Sequence, residues 1–491
     1  MTITILGLGP GDAMQLTREA WQVLETAGEV YLRTGRHPTV PDLPPGLVVH
    51  SFDDLYEQAG DFEQVYAAIA EEVVRLGHRP QGVVYAVPGH PLVGESTVTR
   101  ILKWAEESGL PVRIINGISF IEPILNRLGI DALDGLQVTD AIDLAAQHHP
   151  PLNPDVPAII GQLYSREVAS GVKLTLMNQY PDDHPVKLLH AVGTPEERVE
   201  ASPLYEIDRS SDLDHLMSLY VPPLPQPSAF ETFQETIARL RAPDGCPWDR
   251  EQTHASLQRN LLEEAYEVLD TLDADDPAAL QEELGDLLLQ IVLHSQIAVE
   301  DGEFSMADVI AAIDAKIKRR HPHVFGDVQV SGVGEVFANW EAIKKVERAG
   351  NGNGDRSALD GVPRAMPALA QAEAFGDRAS RVGFDWPSVD GVLDKVAEEI
   401  NEMREAQSEP QRADEFGDLL FALVNVARWL KIDPEAALRS ANEKFANRFR
   451  QVEAQARAQS RDLKGMTLAD LDALWESAKR NVGQTFSPSS P

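Results

Sequence analysis

The chain has 491 residues, 43% hydrophobic, enough for about three domains with real cores, which excludes wholesale disorder. A formal net charge of −35 excludes nucleic acid and anionic membrane as main partners, because both would be repelled. The one cysteine, Cys246, excludes an intrachain disulfide.

The opening Met1–Gly7 run lacks a basic n-region, and no window is apolar for the length a membrane helix needs, so a cytoplasmic protein is expected. Residues 1–220 alternate strand-like and helix-like segments, an α/β pattern. Thr2–Leu8 reads as a buried strand and Leu16–Ala27 as a helix. Gly82–Val87 and Val112–Ile115 read as strands, with Leu174–Met177 and Lys187–Ala191 as later ones. The first strand runs into Gly7-Leu-Gly9-Pro10-Gly11-Asp12, a glycine turn that lets backbone approach a ligand but does not match G-x-G-x-x-G. Pro88-Gly89-His90-Pro91 follows the second strand, Asn116-Gly-Ile-Ser119 the third, and Gly161-Gln-Leu163 a further apolar run.

Val221–Ser228 (VPPLPQPS) reads as a linker, taken as 221–228. Helical periodicity dominates beyond it, interrupted by a second linker at 349–356 around AGNGNGD. This leaves helical units at 229–348 and 357–483 and a tail at 484–491.

The two units are copies of one another. Glu263-Glu264-Ala-Tyr-Glu267 is followed by Glu283-Leu-Gly-Asp286-Leu-Leu; Glu398-Glu399-Ile-Asn-Glu402 is followed by Glu415-Phe-Gly-Asp418-Leu-Leu. Turns at Asp273–Pro277 and Ser408–Asp414 separate each pair, predicting two antiparallel helical hairpins. Leu257, Leu261, Ala265, Val268 and Leu272 mark one apolar face, and Leu280, Leu284, Leu287 and Ile291 the face opposite. Downstream, Lys316-x-x-x-Arg320 and Trp340-x-x-x-Lys344 match Lys444-x-x-x-Arg448 and Trp475-x-x-x-Lys479.

Residues three or four apart share a helix face, so Glu264 projects with Glu267 and Glu283 with Asp286. Four like charges on one spot repel, and a hard divalent cation removes that cost; oxygen-only ligands favour Mg²⁺, with Mn²⁺ as an alternative. Gly285 and Gly417 would let the partner helix approach. Such a metal attracts polyphosphate and acidifies a bound water for in-line attack, while the Lys and Arg pairs hold phosphate and a tryptophan stacks on a base. Taken singly, each motif is an ordinary solvated helix face or core tryptophan; the ordered set occurring twice outweighs that. Helix geometry leaves Glu263 and Glu264 as alternative first ligands. Cys246 lacks a general base at obvious spacing and reads as packing.

Gly245-Cys-Pro-Trp-Asp-Arg-Glu-Gln-Thr-His254, the paired acidic motifs and Arg319-Arg-His-Pro-His-Val-Phe325 resemble the MazG family of nucleoside triphosphate pyrophosphohydrolases over about the last 260 residues. That resemblance implies hydrolysis of NTPs or dNTPs to monophosphate and pyrophosphate, with Mg²⁺, in house-cleaning of the nucleotide pool. It implies metal-binding and catalytic roles for Glu264, Glu267, Glu283 and Asp286, and for Glu399, Glu402, Glu415 and Asp418 in the second copy. It implies substrate binding by Lys316, Arg320, Trp340 and Lys344, and by Lys444, Arg448, Trp475 and Lys479. A homodimer, or an intrachain pseudo-dimer of the two copies, is expected. The second copy lacks the CPWD and RRHPHVF runs, and Val382-Gly-Phe-Asp-Trp386 stands as a structural counterpart.

The loop series in residues 1–220 resembles the tetrapyrrole (corrin/porphyrin) methylases, two-lobed α/β enzymes that bind S-adenosylmethionine. The matching cofactor positions are Gly7, Gly9, Pro10, Gly11, Gly89, Pro91 and Ser119. His90 stands where the family commonly has Asp, and Asn116 and Phe120 also depart from its pattern. Two other functions compete with hydrolysis: a methyltransferase with accessory helical domains, and a non-catalytic nucleotide sensor.

Overall fold

The computed structural model describes residues 1–58, 62–350 and 357–482. The chain forms two compact units, Met1–Glu251 and Gln252 onward. Most of the second predicted linker and the tail from 483 lie outside the described residues.

In the first unit, β1 (Ile3–Gly7), β2 (Glu29–Leu32), β3 (Val48–Ser51), β4 (Val83–Val87) and β5 (Val112–Ile115) form a sheet ordered β3-β2-β4-β1-β5. Every pairing in it is parallel. Parallel strands covered on both faces need near-continuous apolar sequence, which ITILG and VVYAV supply. Helix α1 (Arg18–Thr26) buries Ala20 and Leu24 against Leu6, Val30 and Ala86. After the short α2 (Asp53–Gln58), α3 (Phe62–Gly77) and α4 (Ser96–Glu107) cover the other face, packing Ile69, Val73 and Ile101 on Ile3, Ile5 and Tyr85. Helix α5 (Ile121–Leu128) leads into a second sheet of β6 (Gln137–Asp140), β7 (Ala158–Gly161), β8 (Pro185–His190), β9 (Arg198–Pro203) and β10 (Met217–Val221), ordered β6-β7-β10-β8-β9. Helices α6 (Ala141–Ala145) and α7 (Arg166–Leu176) cover it.

Leu174–Met177 is not a strand. Its first three residues close α7, which starts at the Ser165 cap and buries Ala169, Val172 and Leu176; a short apolar run fits either state, and helical spacing back to Ala169 decides it. The expected linker is also not free. Leu224 N–H donates to Pro154 O at 2.8 Å, and Asp155 accepts from Ser228 N and from Thr232 Oγ1, tying the start of α8 (Phe230–Arg241) to the loop before β7. Helix α9 (Pro247–Glu251) ends this unit.

The second unit is all-helical: α10 (Gln258–Ala274), α11 (Pro277–Glu300), α12 (Met306–Arg320), α13 (Pro322–Phe325) and α14 (Val333–Gly350) form the first copy. The second copy has α15 (Ala368–Arg381), α16 (Val389–Glu405), α17 (Glu409–Trp429), α18 (Pro434–Ala458) and α19 (Leu468–Val482). The hairpins α10–α11 and α16–α17 pack as expected. Asp275 in the left-handed region (φ 53°) stops α10, and the Asp276 side chain with Pro277 starts α11. In the second copy the turn is only Ala406–Ser408: the Ser408 side chain caps Gln411 N with Pro410 in the first turn, so Glu409–Asp414 is helix rather than turn.

The apolar stripes are covered less than the pattern predicts. Leu257 is buried, but Leu272 is 54% and Leu284 50% exposed, and Leu261 and Ile291 also face solvent. A Cβ on Gly285 or Gly417 would meet nothing within 4 Å, so neither glycine marks a close helix approach. Among the described residues no helix is long and apolar enough to cross a membrane.

Candidate functional sites

In the first copy, α10 and α11 bring one carboxylate oxygen each of Glu264, Glu267 and Glu283 within 4.8 Å of one another. In the second, α16 and α17 do the same with Glu399, Glu402 and Glu415. Neither group includes Glu263; it is the Glu264 carboxylate that comes within 4.8 Å of Glu267 and Glu283. Asp286 and Asp418 lie outside the 4.8 Å groups, although the Asp286 charge is felt at Glu264 and Glu283. Desolvation, then the neighbouring carboxylates, hold Glu264 and Glu283 above the usual glutamate value. Glu399 is 3% exposed and its Oε2 has no hydrogen-bond partner. A buried carboxylate oxygen left unpaired beside two further carboxylates fits a hard cation bound by oxygen alone.

The basic and aromatic residues form a separate group in the first copy. Lys344 Nζ sits 3.8 Å from the centre of the Trp340 ring and the Arg320 guanidinium 5.9 Å from it. Glu347 anchors Arg320 at 2.7 Å and Arg319 at 2.6 Å, and these arginines pull its carboxyl down to about 2. The ring therefore already carries cations. Lys316 lies one turn before Arg320 on exposed α12 surface. The second copy departs from this. Trp475 packs with Phe445 at 5.2 Å against the cluster of Val452, Ala456 and Leu474, as a core tryptophan does. Lys479 pairs with Glu476 at 2.6 Å, Lys444 is exposed, and Arg448 Nε is buried without a partner. Asp385, in the Val382–Trp386 run, holds Arg428 at 2.5 Å and accepts from the Trp429 indole, a structural role. Cys246 is partly buried and forms no disulfide.

In the first unit the glycine loops converge at the carboxyl ends of β1, β4 and β5, the edge where open α/β sheets take ligands. Gly9 and Gly89 exchange backbone hydrogen bonds of 3.3 and 2.8 Å. A Cβ on Gly7 would lie 2.3 Å from Gly89 O and 2.7 Å from Gly117 Cα, so three backbones meet where no side chain fits. Gly117 belongs to this junction as much as the positions picked from the sequence. Gly11 has φ +139° and faces Thr194; Pro10 follows Gly9 in the loop, and Pro91 is buried. Buried Ser119 gives both its N–H and its hydroxyl to Glu122. His90 has a partner: its Nδ1 accepts from Leu92 N at 3.1 Å, the turn-closing job an aspartate does. A cavity of about 510 Å³ beside these loops is lined by Gln15, Ile118, Glu122, Arg127, Gly193 and Glu197.

Two further features carry no sequence signal. His37 is buried against the Gly9 backbone, and burial drops it to about 4, so it stays neutral. Arg33 pairs with buried Glu95, which also accepts from Thr97, while Arg33 Nε donates to the Tyr56 hydroxyl at 3.0 Å. Burial opposes both charges, and the pairing keeps the guanidinium protonated.

The fold and sites define a two-part chain, an α/β methylase-like unit followed by a duplicated helical carboxylate hairpin. Its family models agree: tetrapyrrole (corrin/porphyrin) methylases over residues 2–208, and the MazG nucleotide pyrophosphohydrolase domain over 252–325. An uncharacterized protein of Bacillus subtilis, YabN, is 43% identical over 491 residues, 97% of this chain and 98% of that one. The nucleoside triphosphate pyrophosphohydrolase of Escherichia coli K12 is 47% identical over 250 residues, 50% of this chain and 94% of that protein. The Thermotoga maritima nucleoside triphosphate pyrophosphohydrolase/pyrophosphatase MazG is 43% identical over 250 residues, 51% of this chain and 95% of that protein. Among solved structures, a uroporphyrin-III-C-methyltransferase from Thermus thermophilus aligns at TM-score 0.35 and 20% identity, over 45% of this chain and 91% of that one. The chain belongs to the MazG nucleotide pyrophosphohydrolase family, in the form fused behind a tetrapyrrole methylase domain.

Proposed function

We propose that the chain hydrolyses nucleoside triphosphates, ribo- or deoxyribo-, at the α–β bond to monophosphate and pyrophosphate. The observation that carries this is the carboxylate triad, built twice on facing helices with ligand atoms within 4.8 Å. Glu264, Glu267 and Glu283, joined by Asp286, would hold Mg²⁺, as would Glu399, Glu402, Glu415 and Asp418. The ion, when bound, supplies charge neutralisation of the polyphosphate and an acidified water. Lys316, Arg320 and Lys344 neutralise and orient the phosphate tail, and Trp340 offers a face to the base. Lys444, Arg448, Trp475 and Lys479 serve the second copy, with Trp475 reaching a base only from within its packed setting. Removal of unwanted nucleotides from the cytoplasmic pool is the role that suits such an activity. Chromatography of products from an NTP and dNTP panel gives NMP and pyrophosphate with Mg²⁺ and neither with EDTA. NDP and orthophosphate would mean another bond is cut and would sink the reading.

The exposed apolar stripes of α10, α11 and α17 ask for a cover. The copies within one chain meet through Arg439–Asp273 at 3.1 Å, without a helix of one lying along a helix of the other among the described residues. A second chain therefore covers the stripes better than an intrachain pairing, and light scattering should give twice 53.9 kDa. A stable monomer at micromolar concentration would contradict this.

The glycine junction and its adjoining cavity favour a second activity, S-adenosylmethionine binding for methyl transfer. Calorimetric titration of the cofactor into the full chain should show saturable binding; no heat up to millimolar cofactor would leave the first unit as a scaffold.

A further inference from the structure

The two carboxylate clusters differ in one charge. Lys395, one helical turn before Glu399 on α16, places Nζ 2.8 Å from Glu399 Oε1 and 2.8 Å from Glu398 Oε1. The same position on α10, four residues before Glu264, is Asn260. Around the first cluster the neighbours are all acidic: Glu264 meets Asp286, Glu267 and Glu283, and Glu283 meets Glu267, Glu282 and Asp286. No lysine or arginine pairs with Glu264, Glu267 or Glu283 among the described residues.

The second cluster is therefore already partly neutralised, and it is also the one with a buried, unpaired ligand atom. Glu399 Oε1 accepts from the lysine, and its Oε2 has no hydrogen-bond partner inside the group it forms with Glu402 and Glu415. A divalent cation entering there has to push the ammonium off Glu399 or sit beside it. At the first cluster the same ion meets only repelling carboxylates, so the whole repulsion is relieved by binding.

We propose that Lys395 is a resident counter-ion of the second cluster, making the two copies unequal in divalent-cation affinity, with the first the tighter. This rests on the reading that both clusters are metal sites. Its consequence is a graded enzyme: as free divalent cation falls, the second copy empties first while the first stays loaded. A side-chain ammonium a few ångströms from the ion is worth roughly ten-fold in affinity at a partly exposed site.

The test is a Mn²⁺ titration of the full chain without nucleotide, following free Mn²⁺ by electron paramagnetic resonance. Wild type shows two binding classes; Glu264→Gln removes the tighter and Glu399→Gln the weaker. Lys395→Gln tightens the weaker class roughly ten-fold and leaves the tighter unmoved. Asn260→Lys, which leaves the second copy untouched, weakens the tighter class by a similar factor. Two classes that ignore both substitutions, or a weaker class further weakened by Lys395→Gln, would overturn the counter-ion role while leaving the metal sites standing. No Mn²⁺ bound by the wild type would overturn both.

Discussion

Changing Glu264 and Glu399 to glutamine in one chain lowers Mg²⁺-dependent pyrophosphate release by roughly 10³-fold, because each site loses an anionic ligand worth several kcal/mol of charge stabilisation. Glutamine keeps the side-chain volume, so the packing of α10 on α11 and of α16 on α17 is preserved. The single variants separate the copies. Glu264→Gln leaves the turnover that Glu399, Glu402 and Glu415 support, and Glu399→Gln leaves that of Glu264, Glu267 and Glu283. If Lys395 sets the order of metal loading, Glu399→Gln matters least at low Mg²⁺ and most at saturating Mg²⁺. Pyrophosphate assays across Mg²⁺ concentration read all three, and wild-type turnover in the double variant would remove the triads from the chemistry.

The duplicated acidic motifs were legible because helix periodicity turns spacing into a shared face: Glu264 and Glu267 had to project together. The hairpin that brings Glu283 to them followed from the DADDP turn, whose Asp276 and Pro277 act locally. The glycine junction was legible for a similar reason, since Gly7, Gly9 and Gly89 flag backbone approach, although Gly117 emerged only once three strands were aligned. Long-range partners were not legible. Arg33 and Glu95 lie 62 residues apart and meet because β2 and β4 are neighbours. Leu174–Met177 read as a strand because four apolar-rich residues carry no period of their own, and the buried Ala169 and Val172 upstream decided the matter. Trp340 and Trp475 occupy matching motif positions yet differ in surroundings, one under two cations and the other against Phe445. Residue spacing carries the face of a helix, not what a later helix lays upon it. Lys395 stood in plain view four residues before Glu399, but its meaning needed the ion pair and the contrast with Asn260.

The repulsion among the clustered carboxylates sets a second large effect, on stability rather than turnover. Glu264 and Glu283 titrate above the ordinary glutamate value of 4.5, through desolvation and then through their acidic neighbours. Glu402 does so through desolvation, with Lys395 opposing. Just above pH 4.5 the folded chain thus holds more protons than the unfolded one, so these groups make stability fall as pH rises through their folded values. Carboxyls held low by cations, such as Glu347 at about 2, act the other way: their contribution is complete above the ordinary value of 4.5 and is lost as pH falls from there toward 2. Mg²⁺ takes over from the protons, and at 100 times its dissociation constant it adds about 2.7 kcal/mol per site. The melting temperature in Mg²⁺ minus that in EDTA should therefore grow as pH rises from the ordinary glutamate value of 4.5 to 7.5, by several degrees over that range. Glu264→Gln should melt above wild type in EDTA at pH 7.5, since one repelling charge is gone, and below it in Mg²⁺, since a ligand is gone. That reversal of order separates a metal site from a merely acidic helix face, on which the substitution would shift both melts the same way. A Mg²⁺ increment independent of pH would place the bound ion somewhere other than these carboxylates.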